Sequence, residues 1–570
     1  MMNRTDNHMR KYLVIALLLI SGIANAQWRY ASGNFSSRSE AIGQYGMVAT
    51  SQPLATQVGI EILKRGGTAM DAAIAANAVL GLVEPTGNGI GGDIFAIVWD
   101  EKTQKLYGLN GSGHSPKGMT LDYLLEKGYT KIPGSGALSV SVPGCVDGWY
   151  TLHKRFGKIP INELFQPVID YATNGYPVTE VIASAWKGYA RSLQRFDGYK
   201  KTYMPNGQTP KKGQIFRNPD LANCFKLLQK YGRDAFYKGP IADSIEKTVK
   251  REGGFLSKED LAAHHADWVE PVSTNYRGYD VWELAPNTQG ISVLQMLNIL
   301  ERYNIKEMGF GSAEYMHLFI EAKKLTYEDR ALYYADPEFT KIPLKGLISK
   351  EYAAERAKLI DPNRASSDLV AGDPARFGNT IYMTVADRYG NMVSLIQSNF
   401  AGMGSGIVPD GCGFSLQNRG CSFNLTKGRP NTYEPGKRPF HTLIPGFVTR
   451  NGKPLMSFGV MGADMQPLGQ VQVLVNLIDF GMNLQEAGDA ARINHTGSGS
   501  PTGDVMKGKG VVSLEPGFSV NAIGGLLKRG HVIVHDYGGY GGYQAIMKDS
   551  TNGVYYGATE FRKDGTAAGY

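Results

Sequence analysis

The sequence predicts an α+β protein in which stacked β-sheets lie between layers of helices. Segments of strand length cluster towards both ends of the chain, where apolar residues alternate or run continuously. Between them, residues 115–360 carry apolar residues mainly at helical spacing. Because two strand-rich regions flank a helical middle, we expect both ends to build one interleaved domain.

The N-terminus is predicted to be a removable export signal. Arg10 and Lys11 precede an apolar run over residues 12–20, and small residues follow at 24–26. This order is typical of a secretory signal peptide over residues 1–26, and the run is short for a membrane span, although a retained anchor is the alternative. We therefore expect a mature chain from Gln27 that is periplasmic or secreted, with no stable membrane anchor.

Composition and charge narrow the class of protein further. The chain of 570 residues is 42% hydrophobic and 20% charged, which is typical of a globular protein. Its formal charge of +8 comes from scattered basic residues without a dense cluster, so we expect no nucleic-acid partner. The four cysteines form neither a CxxC pair nor a zinc spacing. In an exported protein Cys412 and Cys421 could close a small loop, and two free buried thiols fit equally well.

Periodicity and turn signals place the individual elements. The N-terminal end is predicted to hold a strand over residues 47–50, helices over 55–63 and 69–82, and a hairpin of strands over 94–99 and 105–109. The helix over 69–82 is so rich in alanine that we expect it to pack closely beneath a sheet. The middle is predicted to hold helices over 162–172, 219–231, 241–251 and 314–334, followed by a polar loop over 361–377.

After that loop the pattern returns to strands. Residues 380–386 and 391–397 read as a hairpin that turns at 387–390. The remaining predicted elements are helices over 471–480 and 484–491 and strands over 511–514 and 532–535.

Two glycine-rich segments resemble nucleotide-binding motifs but stand in the wrong context. Residues 87–92 match GxGxxG, yet they follow a predicted helix and open a strand, the reverse of a dinucleotide-binding unit. Residues 503–509 approach a phosphate-binding loop, but Gly510 follows where Ser or Thr is needed. We interpret the first as a turn that brings backbone close to a cavity and the second as a surface turn. Because HExxH and GxSxG motifs are also missing, we expect no metal and no organic cofactor.

The junction between Asn379 and Thr380 is the main candidate for chemistry. A threonine hydroxyl is a weak nucleophile until a base removes its proton, and a free α-amine on the same residue can be that base. Cleavage at this junction would create both groups at once, whereas the alternative is an ordinary strand threonine. Ser398 follows the partner strand of the predicted hairpin and could hydrogen-bond Thr380. The turn at Gly462 and Ala463 could direct backbone N–H groups at an oxyanion.

Four segments in the same order resemble the γ-glutamyltransferase (glutathione hydrolase) family of N-terminal-nucleophile hydrolases. They are PTGNGIGGDIF from residue 85, NTIYMTVADRYGNMVS from 379, GSGIV from 404 and NLIDFGMN from 476. The resemblance covers nearly all of the mature chain and implies a four-layer αββα sandwich. It also implies autocleavage into a large subunit, 27–379, and a small subunit, 380–570. It implies Thr380 as nucleophile, Ser398 at a second hydroxyl position, and Gly462 and Ala463 as the oxyanion turn.

The substrate pocket departs from the family pattern. Ser112 stands where family members carry the arginine that binds the substrate α-carboxylate, and Ser422 stands at the acidic position that binds the α-amino group. Arg419 occupies a nearby glutamine position, and His441 and Thr442 replace a serine pair. A zwitterionic head group needs charged partners when it is desolvated, so these changes weaken the case for γ-glutamyl substrates. Arg419 or His441 could instead receive a carboxylate of a different amide, as in the divergent γ-glutamyltransferase-like branch.

We therefore expect an exported, self-processing threonine amidohydrolase or acyltransferase that cleaves a γ-glutamyl or related small amide through an acyl-enzyme on Thr380. Its partners would be that small-molecule amide and the two subunits from one precursor. The alternative is an unprocessed or inactive family member that binds a small molecule. Retention of the nucleophile beside altered substrate contacts favours an enzyme of changed specificity.

Overall fold

The structure is a computed structural model that describes residues 35–367, 369, 381–534 and 538–570. The predicted signal segment, Asn379 and Thr380 lie outside these residues. The described strands, numbered in chain order, are β1 (Ala41–Gly43), β2 (Met47–Thr50), β3 (Asp93–Asp100), β4 (Lys105–Gly111), β5 (Tyr176–Pro177), β6 (Ile215–Phe216), β7 (Asp267–Val269), β8 (Val272–Tyr276), β9 (Tyr279–Glu283), β10 (Ile381–Ala386), β11 (Met392–Ser398), β12 (Gly446–Arg450), β13 (Lys453–Met461), β14 (Ile493–Thr496), β15 (Val511–Leu514), β16 (Ile533–Val534), β17 (Gly542–Asp549), β18 (Val554–Thr559) and β19 (Thr566–Gly569).

Helices account for most of the remaining regular structure of the described residues. In chain order they are α1 (Pro53–Lys64), α2 (Ala69–Val83), α3 (Leu121–Glu126), α4 (Cys145–Phe156), α5 (Ile161–Leu164), α6 (Gln166–Asn174), α7 (Glu180–Leu193), α8 (Asp197–Tyr203), α9 (Pro219–Tyr231), α10 (Asp234–Tyr237), α11 (Pro240–Arg251), α12 (Lys258–Ala263), α13 (Ile291–Leu300), α14 (Ile305–Met308), α15 (Ala313–Tyr333), α16 (Leu344–Leu347), α17 (Lys350–Ala357), α18 (Met465–Ile478), α19 (Leu484–Asp489) and α20 (Val520–Lys528). Among these described helices, none combines the length and apolar composition needed to cross a bilayer.

Two seven-stranded antiparallel sheets form the centre of the molecule. The first sheet has the order β19-β2-β10-β11-β3-β4-β7 and the second has the order β1-β18-β17-β13-β12-β9-β8. Each sheet therefore takes strands from both ends of the chain and from its middle. Strands from the two ends of the chain are thus interleaved within the same sheets.

The strands of the first sheet are buried on both faces. In β3, Phe95 and Ile97 belong to the apolar core between the two sheets, whereas Ile94 and Ala96 face the core shared with helices such as α2. Because successive side chains point to opposite faces, a strand covered on both sides reads as a continuous apolar run. Helices α13, α15 and α18 cover the outer face of the second sheet. The layers are thus helix, sheet, sheet and helix, which confirms the predicted αββα sandwich.

Local signals define several boundaries well. Helix α9 coincides with its predicted range because Asn218 caps its N-terminus, Pro219 occupies the first turn and Gly232 follows its end. Helix α2 begins with a capping box between Thr68 and Asp71, and it packs against β10 and β11 as its alanine content predicts.

Three predictions about elements were wrong. The mainly helical middle also contains β7, β8 and β9, which add edge strands to both sheets. The single helix expected over 162–172 is two helices, because Pro167 lies in the first turn of α6, where its missing N–H costs no helical hydrogen bond. Helix α18 starts at Met465 and not at 471, so it follows the turn at Gly462 and Ala463 almost directly.

The GxGxxG segment serves close backbone packing. It connects α2 to β3, as the sequence order indicated. A Cβ on Gly92 would lie 2.4 Å from the Ser398 carbonyl oxygen, and one on Gly91 would lie 2.3 Å from that of Ser415. Only glycine allows these contacts, which bring residues 91–93 against the end of β11.

Candidate active site

The candidate site lies at the end of the two central strands of the first sheet. Ile381 pairs with Gln397, and Ser398 at the end of β11 pairs with Asp93 at the start of β3. Ser398 is buried, and its Oγ accepts a hydrogen bond of 2.7 Å from the N–H of Phe400. Thr380 directly precedes Ile381 in the sequence but lies outside the described residues.

The predicted oxyanion turn joins β13 to α18. Gly462 has φ of 120° and Ala463 has φ of 53°, a left-handed conformation that costs a non-glycine residue about 1–2 kcal/mol. Within the described part of the chain, neither residue's N–H has a hydrogen-bond acceptor. The helix that begins two residues later adds the positive end of its dipole. The turn therefore has the features that stabilise negative charge.

A buried amide holds this turn in its strained conformation. Gln289 Nε2 donates to the carbonyls of Thr442, at 2.9 Å, and Ala463, at 2.8 Å. Its Oε1 accepts from Arg330, whose Nη1 also donates to Asp464 Oδ1 at 2.7 Å. The amide thus couples the oxyanion turn to the segment that carries His441 and Thr442.

We expect the substitution Gln289→Met to destabilise the protein and to slow catalysis. Two buried carbonyls and Arg330 would lose a partner, which we expect to lower the free energy of unfolding by about 2–4 kcal/mol. A displaced turn should also lower kcat about 10- to 100-fold with a smaller change in KM. Urea denaturation and steady-state kinetics measure the two effects. The matched exposed substitution Gln208→Met should change neither, and an unaltered kcat in Gln289→Met would contradict the role of the amide.

Arg419 is a buried cation without a carboxylate partner in the described structure. Its Nη1 donates to Thr442 Oγ1 at 3.0 Å, and the guanidinium stacks 4.0 Å above the ring of Phe400. Among the described residues, no carboxylate lies within 4.0 Å of it, and its Nε and Nη2 have no hydrogen-bond partner. Burial lowers the pKa of Arg419 to about 9, so the group stays charged at neutral pH. A buried charge in this state is costly unless an anion joins it.

His441 is not available as a cation. Its Nδ1 accepts from the N–H of Leu443 at 3.3 Å, so Nε2 carries the hydrogen and donates to Asp93 Oδ2 at 3.0 Å. Burial, followed by the charge of Arg419, holds the pKa of His441 well below its ordinary value. The contact with Asp93 is therefore a hydrogen bond and not an ion pair.

Asp93 is saturated by donors. Besides His441, it accepts from the N–H groups of Gly113 and Gly144 and from Gln417 Nε2. Burial raises the pKa of Asp93 to about 7, while Arg419 and these donors oppose the rise. This carboxylate therefore has little capacity left to bind a substrate ammonium.

The two serines at the altered head-group positions differ in availability. Ser112 is buried, its Oγ donates to Asn110 Oδ1 at 2.7 Å, and the same Oγ accepts from Asn287 Nδ2 at 3.2 Å. Ser112 is thus occupied by the protein itself. Ser422 lies on the same short 3-10 turn as Arg419, and no described group hydrogen-bonds its buried Oγ. It can still donate to or accept from a ligand.

One polar network connects most of the predicted residues. Asn287 joins Ser112 to the backbone of His441, Gln289 joins Thr442 to Ala463, and Asp93 joins His441 to the end of β11. Sequence reasoning missed Asp93, Asn287 and Gln289. Of these three residues, only Asp93 could have been recognised from its sequence neighbours, because an acidic residue between a glycine-rich turn and a fully apolar strand is unusual.

A cleft of about 1040 Å³ opens beside the oxyanion turn. Its lining includes Gly462, Asp464 and the buried Lys323, whose Nζ donates to Ser498 Oγ at 2.8 Å. Part of the loop 503–509 also lines it, through Asp504 and Lys507, so this turn borders a cavity. The volume reaches the upper end of the range for small-molecule pockets.

In the described structure, one group of side chains has the composition of a metal site. His317, Glu321 and His531 offer ligand atoms within 4.8 Å of one another. The two rings are hydrogen-bonded to each other at 2.7 Å, and Glu321 pairs with the buried Lys324 at 2.7 Å. Among the described residues, His531 Nδ1 has no hydrogen-bond partner. The adjacent ammonium opposes binding of a divalent cation, and the cluster is remote from the polar network around Arg419.

The αββα sandwich, with polar groups gathered at the end of its central strands, defines the class of N-terminal-nucleophile hydrolases. A family model described as gamma-glutamyltranspeptidase matches residues 55–570, and the chain belongs to that family. It is therefore an enzyme of this hydrolase family.

The chain is similar to hydrolases that are named for different activities. It is 36% identical over 536 residues to the glutathione hydrolase-like YwrD proenzyme of Bacillus subtilis. The matched region covers 93% of this chain and 99% of that relative. It is 32% identical over 540 residues to the oxamate amidohydrolase proenzyme of Klebsiella pneumoniae, covering 93% of this chain and 100% of the relative. The crystal structure of cephalosporin acylase from Bacillus halodurans matches with a TM-score of 0.88 and 42% identity, over 95% of this chain and 99% of that one.

Proposed function

We propose that this enzyme is a self-processing threonine amidohydrolase for small amides whose acyl group carries a carboxylate but no α-amino group. The observation that carries this proposal is the buried, unpaired guanidinium of Arg419. A substrate carboxylate would supply the charge partner that the described protein lacks, and Ser422 Oγ could add a hydrogen bond. A γ-glutamyl group would also bring an ammonium, and Asp93, the acid whose charge acts on Arg419, already accepts hydrogen bonds from four donors.

Activation would begin at the junction between Asn379 and Thr380. The Thr380 hydroxyl attacks the Asn379 carbonyl, and hydrolysis of the resulting ester frees the Thr380 α-amine. The products would be a large subunit ending at 379 and a small subunit from 380 to 570. Thr380 directly precedes Ile381, the first residue of β10, in the sequence. The proenzyme names of the relatives agree with such a precursor.

Catalysis would use the same residue on a substrate amide. The α-amine of Thr380 takes the hydroxyl proton while the oxygen attacks the carbonyl carbon. The N–H groups of Gly462 and Ala463 would hold the oxyanion, and Ser398 would orient the nucleophile. The proton passes to the leaving amine, and water or an acceptor amine then resolves the ester.

Export of the protein remains part of the proposal. The charge pattern and small residues at positions 1–26 support a signal peptide, with the mature chain starting at Gln27. The enzyme would then work in the periplasm or outside the cell.

A pair of substrates that differ in one group tests the proposed specificity. We expect glutaryl-p-nitroanilide to be hydrolysed with a kcat/KM about 10- to 100-fold higher than γ-glutamyl-p-nitroanilide, because only the second compound buries an unpaired ammonium. Release of p-nitroaniline measures both rates under the same conditions.

The second candidate function is hydrolysis of γ-glutamyl compounds. For such an enzyme we expect γ-glutamyl-p-nitroanilide to have the higher kcat/KM of the two substrates. This candidate is motivated by the glutathione hydrolase-like relative. Equal or faster turnover of the γ-glutamyl compound would overturn the carboxylate-only pocket and leave the nucleophile unaffected.

A further inference from the structure

Two cysteines that are far apart in the sequence meet in the fold. Cys224 on α9 is 2% exposed and Cys412 is 4% exposed, and both are free thiols in this structure. The Cys412 Sγ lies 3.6 Å from the Asp410 carbonyl oxygen, and a hydrogen bond from the Cys224 thiol shifts the pKa of both thiols. A disulfide joins cysteines whose Cβ atoms lie about 3.5–4.5 Å apart, so neighbouring thiols of this kind are candidates for one.

The contact is built into the packing around it. Asn218, which caps α9, donates from Nδ2 to the Gly413 carbonyl at 2.7 Å, and a Cβ on Gly413 would lie 2.3 Å from Asn218 Oδ1. Asp410 accepts two hydrogen bonds from Arg251 at the end of α11, at 2.6 and 3.0 Å. The segment from 410 to 413 is therefore held against both helices, which places Cys412 beside α9, the helix that carries Cys224.

The other two thiols offer no such pairing. Cys145 is buried in the helix layer, where its Sγ lies 3.9 Å from Asn77 Oδ1. Cys421 packs against a different apolar cluster, the one that contains Phe423 and Tyr433. The small loop between Cys412 and Cys421 considered from the sequence is thus not the pairing that the fold favours.

The electrostatics of the pair distinguishes an attacking thiol from a resolving one. The hydrogen bond from Cys224 lowers the pKa of Cys412, while the same bond and burial raise the pKa of Cys224. The thiolate is the reactive form in thiol–disulfide exchange, so Cys412 reacts first.

We infer that Cys224 and Cys412 form a disulfide in the oxidising compartment to which the proposed signal directs the chain. The Cys412 thiolate attacks one sulfur of an oxidising disulfide and releases the other as a thiolate. The Cys224 sulfur, after losing its proton, then attacks Cys412 and releases the second thiolate. The protein loses two thiols, and one disulfide such as oxidised glutathione is reduced to two thiols. Because both sites are buried, the bond forms while the chain folds.

The position of the bond has a consequence for assembly. Cys224 precedes Thr380 and Cys412 follows it, so the disulfide would join the two subunits covalently. This consequence rests on the proposed cleavage, whereas formation of the disulfide does not. The subunits would then stay linked when denatured, until a reductant is added.

Electrophoresis with and without reductant tests the inference on the full-length, exported protein. We expect one band of precursor size without reductant and two smaller bands with dithiothreitol. The substitutions Cys224→Ser and Cys412→Ser should each release two bands without reductant, whereas Cys145→Ser and Cys421→Ser should behave as wild type. Separation of wild-type subunits without reductant would overturn the inference.

Peptide mapping of the unreduced wild-type protein tests the disulfide directly. It depends neither on folding of the variants nor on cleavage of the chain. A linked pair of peptides containing Cys224 and Cys412 supports the disulfide even if no cleavage occurs. Alkylation of both residues by iodoacetamide in unreduced, denatured protein contradicts it. Reduced protein refolded with oxidised glutathione should lose two of its four titratable thiols, and retention of all four would contradict the inference as well.

Discussion

Replacing Thr380 by alanine is expected to leave the chain uncut and to abolish amide hydrolysis. The substitution removes the hydroxyl that we propose attacks both the Asn379 carbonyl and the substrate, so no α-amine should be released at this position either. Loss of the nucleophile in comparable enzymes lowers kcat by about 10⁴- to 10⁶-fold, and we expect a fall of at least 10⁴ here. Denaturing electrophoresis of reduced samples and the p-nitroanilide assay measure the two effects.

A conservative replacement of Thr380 and N-terminal sequencing test whether the effects of Thr380→Ala come from loss of the hydroxyl. Thr380→Ser keeps a hydroxyl and an N-terminal amine, so it should still cut and turn over, at a lower rate. N-terminal sequencing of the small fragment should begin at Thr380. The exposed substitution Thr551→Ala should change nothing. A Thr380→Ala chain that still splits, or still hydrolyses substrate, would remove the basis of the mechanism.

Replacing Arg419 by methionine is expected to lower kcat/KM for glutaryl-p-nitroanilide about 100- to 1000-fold. Loss of one partner from a buried charged pair typically costs about 2–5 kcal/mol, or about 30- to 5000-fold, and the expected loss lies in the middle of that range. The neutral analogue pentanoyl-p-nitroanilide makes no such pair, so its kcat/KM should stay within about threefold. The difference between the two substrates separates recognition of the carboxylate from general damage to the site.

Stability gives an independent readout of the same residue. Because Arg419 is a buried charge with one hydrogen bond and no carboxylate partner among the described residues, its replacement by an apolar side chain should not lower the free energy of unfolding. A structural ion pair would behave in the opposite way. Arg429→Met, at an exposed position, is the matched control and should alter neither property. Equal losses for both substrates, together with a large loss of stability, would show that Arg419 is structural.

The layered architecture could be predicted from the sequence because its signals are local. The periodicity of apolar residues marks α9 and α15, and an uninterrupted apolar run marks β3 as a strand covered on both faces. The second sheet was harder to predict, since β8 and β9 lie inside a region dominated by helical spacing. Strand β9 pairs with β12, which is more than 160 residues away along the chain, and β8 joins the sheet by pairing with β9.

For the site, the sequence by itself determined the family, the residue types at the altered positions and the junction before Thr380. Only the tertiary structure decided what those residues can do. Ser112 is occupied by Asn110 and Asn287, while Arg419 is buried without a carboxylate partner among the described residues. Likewise, Cys412 meets Cys224 and not the nearer Cys421. The physical reason is that burial and hydrogen-bond partners depend on groups that folding brings together from distant parts of the chain, and no local pattern records them.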